Sequence, residues 1–286
     1  MTFQQRLDRR AERWWGHPFR WKSWRSYADT SHRISERTTW RSSSDPDERW
    51  RCCDVWPRSL INKWNGREYA AKHGCRVPEL YWHGRWPWQI PFDRLPPAFV
   101  IRPAYGFAKR GIFVVDSGRE LLRDEPISPA EIRRRLVRGR AVDQWSRLMA
   151  EEFVTDQRGR YQPPVEAKCF TFGARVAAIQ VIDRAASRAR MAPERHYTAE
   201  WQPFAQRLDD TRETGPLMDP PACLDEMVRS ASRIGHTLGT FMRIDFFISD
   251  KGAVFNEFSS MPYIVPTPYA DAWLGDLWEE NFPNAT

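Results

Sequence analysis

The stretch "RIDFFISDKGAVFNEFSSMP", residues 243–262, constrains this chain more than any other. Two apolar runs flank Asp250-Lys251-Gly252, so it reads as a hairpin whose loop ends on a left-handed Gly252. That loop sets a register pairing Ser249 with Ala253, Asp245 with Glu257 and Arg243 with Ser259. Side chains alternate between faces along a strand. One face then carries Met242, Ile244, Phe246, Ile248, Val254 and Phe258, a core face interrupted by Asn256. The other carries Arg243, Asp245, Glu257 and Ser259, clustered at the open end. Opposed carboxylates have Cβ atoms about 5 Å apart and repel each other. Two readings satisfy them. Either a hard dication such as Mg²⁺ sits between them, sharing phosphate oxygens, or the face is solvated and Arg243 neutralises the pair.

The rest of the chain reads as helices and antiparallel hairpins. "SLINKWNGREYAAKHG" (59–74) has Leu60, Ile61, Trp64, Tyr69 and Ala70 at helical spacing and ends on Gly74. "VPELYWHG" (77–84), "AFVIR" (98–102) and "IFVV" (112–115) read as strands, and residues 129–150 as a helix with Arg clusters outward. Trp86 and Trp88, in a Pro-rich connector, read as packing residues. "EEFV" ends a strand, residues 165–183 form a hairpin turning near Gly173, and 184–220 is a long polar excursion. In 223–239, Leu224, Met227, Val228, Ala231, Ile234 and Leu238 line one helix face. This mixture, without strict βαβ alternation, indicates α+β.

Composition narrows the class. The 286 residues are 41% hydrophobic and 28% charged, with no apolar run near the length of a membrane span, so a soluble chain is expected. The N-terminal stretch lacks the apolar core and small residues of a secretory signal. Five cysteines without a C-x-x-C spacing fit reduced thiols, and the expected location is the cytoplasm. The net charge is +7, and residues 1–58 hold 13 Lys and Arg against 8 Asp and Glu, with 7 of the 15 Trp. Such a stretch can bind nucleic acid, or can be a helical cap whose Trp residues pack. No nucleic-acid motif accompanies it, and no nucleic-acid partner is expected. His17, His73, His83 and the cysteines lack metal-ligand spacing.

Taken in order, "INKWNGREYAAKHG", "FDRLPPAFVIRPAYGFAKRGIFVV", "AEEFV", "EAKCFTFGARVAAIQVIDR", "WQPF" and "DEMVRSASRIGHTLGTFMRIDFF" precede "NEFSSMP". Over residues 56–280 this set resembles the teichuronopeptide-synthesis (TupA-like) branch of the ATP-grasp enzymes. The resemblance implies an α+β ATP-grasp fold, two α+β subdomains gripping ATP between antiparallel sheets behind a short helical N-terminal preface. The implied units are a basic, Trp-rich preface over 1–55, an N-terminal subdomain with the phosphate loop over 56–150, and a C-terminal subdomain with the Mg²⁺ hairpin over 151–286.

The resemblance also implies roles. Asp245 and Glu257 would hold the Mg²⁺ that bridges the ATP phosphates, with Ser259 as a third metal-side ligand where many members have Asn. Arg102 stands where the family usually has a Lys on the α- and β-phosphates, a swap that keeps the charge and changes the donor geometry. "AYGFAKRG" (104–111) takes the place of the glycine-rich loop, keeping Gly106 and Gly111, with Lys109 and Arg110 as γ-phosphate contacts. Glu151, Glu152, Phe153 and Val154 match the hinge against adenine. Glu166 and Lys168 match positions near the ribose and the phosphates, and Arg243 would stabilise an oxyanion. Read without the family, Arg102 is a surface cation, Lys109-Arg110 an ordinary basic loop, and Glu151-Glu152 a solvated strand end. The implied activity is ATP- and Mg²⁺-dependent ligation of a carboxylate to an amine through an acyl phosphate, on small-molecule or peptide substrates. A small-molecule kinase, or a nucleotide-binding module without catalysis, uses the same scaffold.

Overall fold

Polar Glu166, Lys168 and Gln180 interrupt otherwise apolar runs in "VEAKCFTF" and "RVAAIQVI", and the chain doubles back between them at Gly173, whose φ is 56°. Such interruptions recur on both sides of Asp250-Lys251. These two hairpins form one sheet in the computed structural model, which describes residues 40–51, 56–105, 110–140, 147–185, 192–262 and 264–282.

Four helices and eleven strands make up the described chain, apart from a single helical turn at Asp47–Trp50 and short 3-10 turns. In chain order they are α1 (Lys63–Lys72), β1 (Leu80–Gly84), β2 (Ala98–Pro103), β3 (Phe113–Asp116), β4 (Arg119–Glu120), β5 (Glu125–Pro126), α2 (Pro129–Arg140) and β6 (Leu148–Glu152). Then follow β7 (Val165–Phe172), β8 (Arg175–Ile182), β9 (Glu194–Tyr197), α3 (Leu224–Leu238), β10 (Phe241–Ser249), β11 (Gly252–Ser259) and α4 (Pro268–Asn281). Six strands order as β1-β6-β2-β3-β4-β5 and five as β11-β10-β7-β8-β9, with antiparallel neighbours throughout. The fold is α+β, two antiparallel sheets with helices.

Three cores hold the layers. The apolar stripe of α3 packs with Ala167, Cys169, Ile179, Ile244 and Phe246 on one face of the five-stranded sheet. Trp56, Leu60 and Tyr69, from α1 and the 3-10 turn before it, join that same core. Helix α4 closes one end of the opposite face over Phe170, Ala178 and Phe241. Helix α2 covers Phe99, Ile101 and Phe113 of the six-stranded sheet.

Several expectations are corrected. Helix α1 starts at Lys63 rather than Ser59, because the Asn62 side chain accepts from Trp64 N–H and caps it. Of the helix expected over 129–150, α2 is described over Pro129–Arg140 and residues 141–146 lie outside the described residues, while Leu148–Glu152 is instead an inner strand between β1 and β2. A short buried run such as Leu148-Met149-Ala150 carries no period that separates strand from helix. The excursion 184–220 contains β9, whose sequence "ERHY" is too polar to read as a strand. Trp86 and Trp88 stack on each other at 4.8 Å, yet Trp88 is 60% exposed. Among the described residues no helix is long and apolar enough to cross a membrane. Cys75, Cys169 and Cys223 are buried free thiols; Cys52, Cys53 and most of the 1–55 preface lie outside the described residues.

Helix α3 lies so close to the β7–β8 turn that a methyl group on Gly235 would overlap the Gly173 carbonyl oxygen and crowd Thr171. Ala is about 1 kcal/mol better than Gly inside a helix, but overpacking here costs more. Gly235→Ala is expected to lower stability by about 1–3 kcal/mol, read as a reduced urea midpoint. An unchanged or higher midpoint would show that the turn yields.

Candidate functional site

Across the five-stranded sheet, Glu257 pairs with Asp245, Asp245 with Lys168, Lys168 with Gln180, and Gln180 with His196. Residues directly opposite in a sheet share a face, so these five form one polar row about 19 Å long at ~4.8 Å per strand. The row lies on the face away from α3. The expected pairs Asp245–Glu257 and Arg243–Ser259 are present. Nearer the loop the register shifts by one, with Ser249 opposite Gly252 and Ile248 opposite Ala253, although Gly252 is left-handed at φ 97°. Asn256 is the extra residue of a bulge. The bulge puts Phe255 rather than Val254 in the core under α3, with Val254 buried outside that cluster, which explains why a polar residue interrupts the apolar pattern at Asn256.

Charges on the row are paired with care. Asp245 is fully buried. Arg243 grips it with Nε donating to Oδ1 at 2.7 Å and Nη2 to Oδ2 at 2.8 Å, while Lys168 Nζ donates to Oδ2 at 2.6 Å. Arg243 Nη1 also donates to the Pro262 carbonyl at 3.1 Å. The Glu257 side chain keeps 30% exposure, with Lys63 Nζ at 3.3 Å and Arg243 Nη2 at 3.7 Å. Burial alone would raise its pKa, but Lys63, Lys168, Arg243 and Arg102 hold it at about 2. Burial, and after it Arg243, would likewise favour a neutral Lys168; Asp245, Glu166 and Glu257 together outweigh them and keep the ammonium charged. Glu166 lies 3.1 Å from Lys168 Nζ and accepts from Arg184 Nε at 2.5 Å.

The six-stranded sheet supplies the other wall. Arg102 Nε sits 2.6 Å from Glu151 Oε1, both buried, and Arg102 Nη1 donates to Asn256 Oδ1 at 3.2 Å, reaching across to the hairpin. Glu152 pairs with Lys251 at the hairpin tip, and Phe153 and Val154 are buried just beyond β6, Phe153 against Tyr161. Arg110 is an exposed turn residue; Gly106 and Lys109 lie outside the described residues. Ser259 Oγ donates to the Met261 carbonyl at 2.9 Å and accepts from Met261 N–H at 3.3 Å, so its hydroxyl serves the chain turn. The structure thus brings Arg243, Asp245, Glu257, Lys168 and Glu166 together, with Arg102 and Glu151 alongside.

The donor set fits a dication that arrives with phosphate. Among the described residues no group of three or more His, Cys, Asp or Glu side chains is placed to hold a metal ion by itself. Two carboxylates are what Mg²⁺ commonly takes beside substrate phosphates. Glu257 is accessible for that role, whereas both Asp245 oxygens already accept hydrogen bonds. Sequence reasoning missed Lys63, Arg184 and Gln180, which belong to no motif and meet the row only through strand order and helix packing. Asn256 did leave a signal, as the odd polar residue in an apolar pattern.

Glu166 is half-buried, which opposes ionisation, yet Lys168 and Arg184 hold its pKa at about 2. A depressed carboxyl contributes stability above its unfolded value of about 4.5 and loses it as pH falls towards 2. Urea midpoints of the wild type are therefore expected to decline over that window, and Glu166→Gln to remove this component, worth at most about 3 kcal/mol. An identical slope in both proteins would show that Glu166 is not ionised by its neighbours.

The arrangement can be compared with known proteins. D-alanine–D-alanine ligase from Bacillus anthracis is 15% identical, covered over 80% of this chain and 68% of its own, with a TM-score of 0.51. The ATP-grasp ligase PsnB, complexed with a minimal precursor, is 13% identical over 78% of this chain and 60% of its own, with a TM-score of 0.46. This chain spans about 60% of the length of PsnB. At such identities the likeness is one of fold. No curated protein sequence matches the chain. The model of the TupA-like ATP-grasp family matches residues 58–279, most of the chain, and the protein belongs to that family.

Proposed function

We propose that this protein is an ATP- and Mg²⁺-dependent ligase that joins a carboxylate to an amine through an acyl phosphate. The observation that carries the reading is the charged row itself. Two acids at paired positions, Asp245 and Glu257, are surrounded by Lys63, Lys168, Arg243 and Arg102 in a chain of ATP-grasp type. Cations suit a polyphosphate, and paired carboxylates suit the dication it brings. When bound, Mg²⁺ would offset the charge of the triphosphate, with Glu257 as its accessible carboxylate ligand and Asp245 as a second where Arg243 or Lys168 yields one of its oxygens.

The remaining roles belong to this chain's own residues. Lys168 and Arg102 hold phosphate oxygens, and Lys109 and Arg110 contact the γ-phosphate from the loop. The adenine lies against the Glu151-to-Val154 segment and the ribose near Glu166. The acid's carboxylate oxygen bonds to the γ-phosphorus in line while the bond to ADP breaks. The amine nitrogen then bonds to the acyl carbon, and phosphate leaves. Arg243, oriented by Asp245 and the Pro262 carbonyl, is a fixed donor for the oxyanion formed in that second step. The subdomains implied at 56–150 and 151–286 would form the two walls, with α1 crossing to pack under the hairpin. The product class is an amino acid joined to an envelope polymer, a peptide or a specialised metabolite.

Asp245→Asn and Glu257→Gln are each expected to cut Mg²⁺-dependent ADP release by on the order of 10²-fold or more, measured against a panel of acids and amines. Near-wild-type turnover in either would remove the basis of the assignment. Product analysis decides between chemistries. A ligase frees phosphate in step with amide, whereas phosphate retained on a hydroxyl acceptor would establish a kinase instead.

A further inference from the structure

Glu194 and His196 end the polar row on edge strand β9, and no role described so far uses them. Gln180 Nε2 donates to Glu194 Oε2 at 2.7 Å, and Arg212 Nε lies 3.0 Å from the same oxygen. The other oxygen, Oε1, has no hydrogen-bond partner, and neither has His196 Nε2, 3.7 Å away. These side chains are only 3% and 5% exposed. Both line a cavity of about 90 Å³, with Arg207, Asp209 and Arg212 around it. Buried polar atoms are nearly always paired, so two orphans on one cavity call for a ligand.

Two acceptors at that separation suit one nitrogen with several N–H bonds, about 2.8 Å from each. The neighbouring guanidinium groups leave Oε1 and Nε2 unpaired, Arg212 meeting Glu194 only through Nε at Oε2. Arg207 Nη2 donates to the Asp209 and Arg212 carbonyls, and Arg212 Nη1 to the Ala192 carbonyl. The site therefore offers unspent acceptors, which select a cationic donor. We propose that this cavity is the amine subsite of the ligase, seating a primary ammonium between Glu194 Oε1 and His196 Nε2. This rests on the ligase reading and deepens it, since Gln180 and then Lys168 lead from the cavity along the same face to the phosphate-binding residues.

Protonation fits the task. Burial, then the nearby Asp209, raises Glu194 to about 7 against Arg212, Gln180 and Lys168. Burial, then Arg212, lowers His196 to about 3, so its ring is a neutral acceptor. The Glu194 carboxylate takes one proton from the ammonium, leaving a neutral amine. The nitrogen bonds to the acyl carbon, the C–O bond to phosphate breaks, and the second proton leaves with the phosphate.

The test uses the full chain without nucleotide, so its failure and a failure of the ATP assays are separate results. Ethylammonium, which like a lysine side chain stays protonated to about pH 10, is titrated by ligand-observed NMR, beside tetramethylammonium, which has the charge but no N–H. Saturable binding of ethylammonium, at least about tenfold weaker in Glu194→Gln and for tetramethylammonium, supports the subsite. No saturable binding, equal binding of both cations, or an unchanged affinity in Glu194→Gln overturns it. Should that variant lose its cooperative melt, the wild-type pH profile decides. Of the groups facing Glu194 (Lys168, His196, Asp209 and Arg212), His196 is held neutral by burial and Lys168 charged by its carboxylate partners, and the profile is read between about pH 6 and 8. Affinity should rise severalfold over that interval as the carboxylate ionises, and a flat profile overturns the proposal.

Discussion

A fully buried carboxylate gripped by an arginine and a lysine is the interaction on which this structure turns. Asp245 in the middle of an inner strand would be costly alone. Arg243 and Lys168 make it tolerable by donating to both of its oxygens. Those bonds also fix the cations. A guanidinium held by Asp245 and the Pro262 carbonyl, and an ammonium held between Asp245 and Glu166, lose little further freedom when an anion arrives. The contacts that let the row exist without a ligand thus preorganise the groups that would meet one.

The two sheets are joined at the same place. Arg102 binds Glu151 within the six-stranded sheet and reaches Asn256 in the hairpin. At the tip, Lys251 meets Glu152, and Thr155 Oγ1 donates to Asp250 Oδ1 at 2.6 Å. The hairpin therefore carries acids on its face, a bulge that receives a cation from the facing sheet, and a tip tied to the segment after β6. Helix α1 supports it from the other side through Tyr69 and Phe258, and its first residue, Lys63, reaches Glu257.

Much of this was legible in local pattern. The alternation in 243–259 and the turn at Gly252 are short-range, and they imply the pairing of Asp245 with Glu257. That pairing is present because the bulge at Asn256 offsets a loop register one residue tighter than expected. The stripe of α3 and its Gly239 cap, at φ 62°, are equally local. Beta-strand β9 was not legible, because its inward residues face a polar row rather than a core, so "ERHY" lacks the apolar alternation that marks a strand. Strand β6 was hidden for the opposite reason. Leu148–Ala150 is buried on all sides, and a run without polar positions has no period to read.

Turn chemistry and side-chain alternation act over a few residues, so each hairpin and its opposed acids were already written in the local sequence. The order of the strands decided the rest. Only when β10 lies beside β7, β7 beside β8 and β8 beside β9 do Asp245, Lys168, Gln180 and His196 fall into line. Lys63 joins Glu257 only because α1 packs beneath the hairpin. Ion pairs between distant segments leave no periodic trace, and only the folded chain brings them within hydrogen-bond reach.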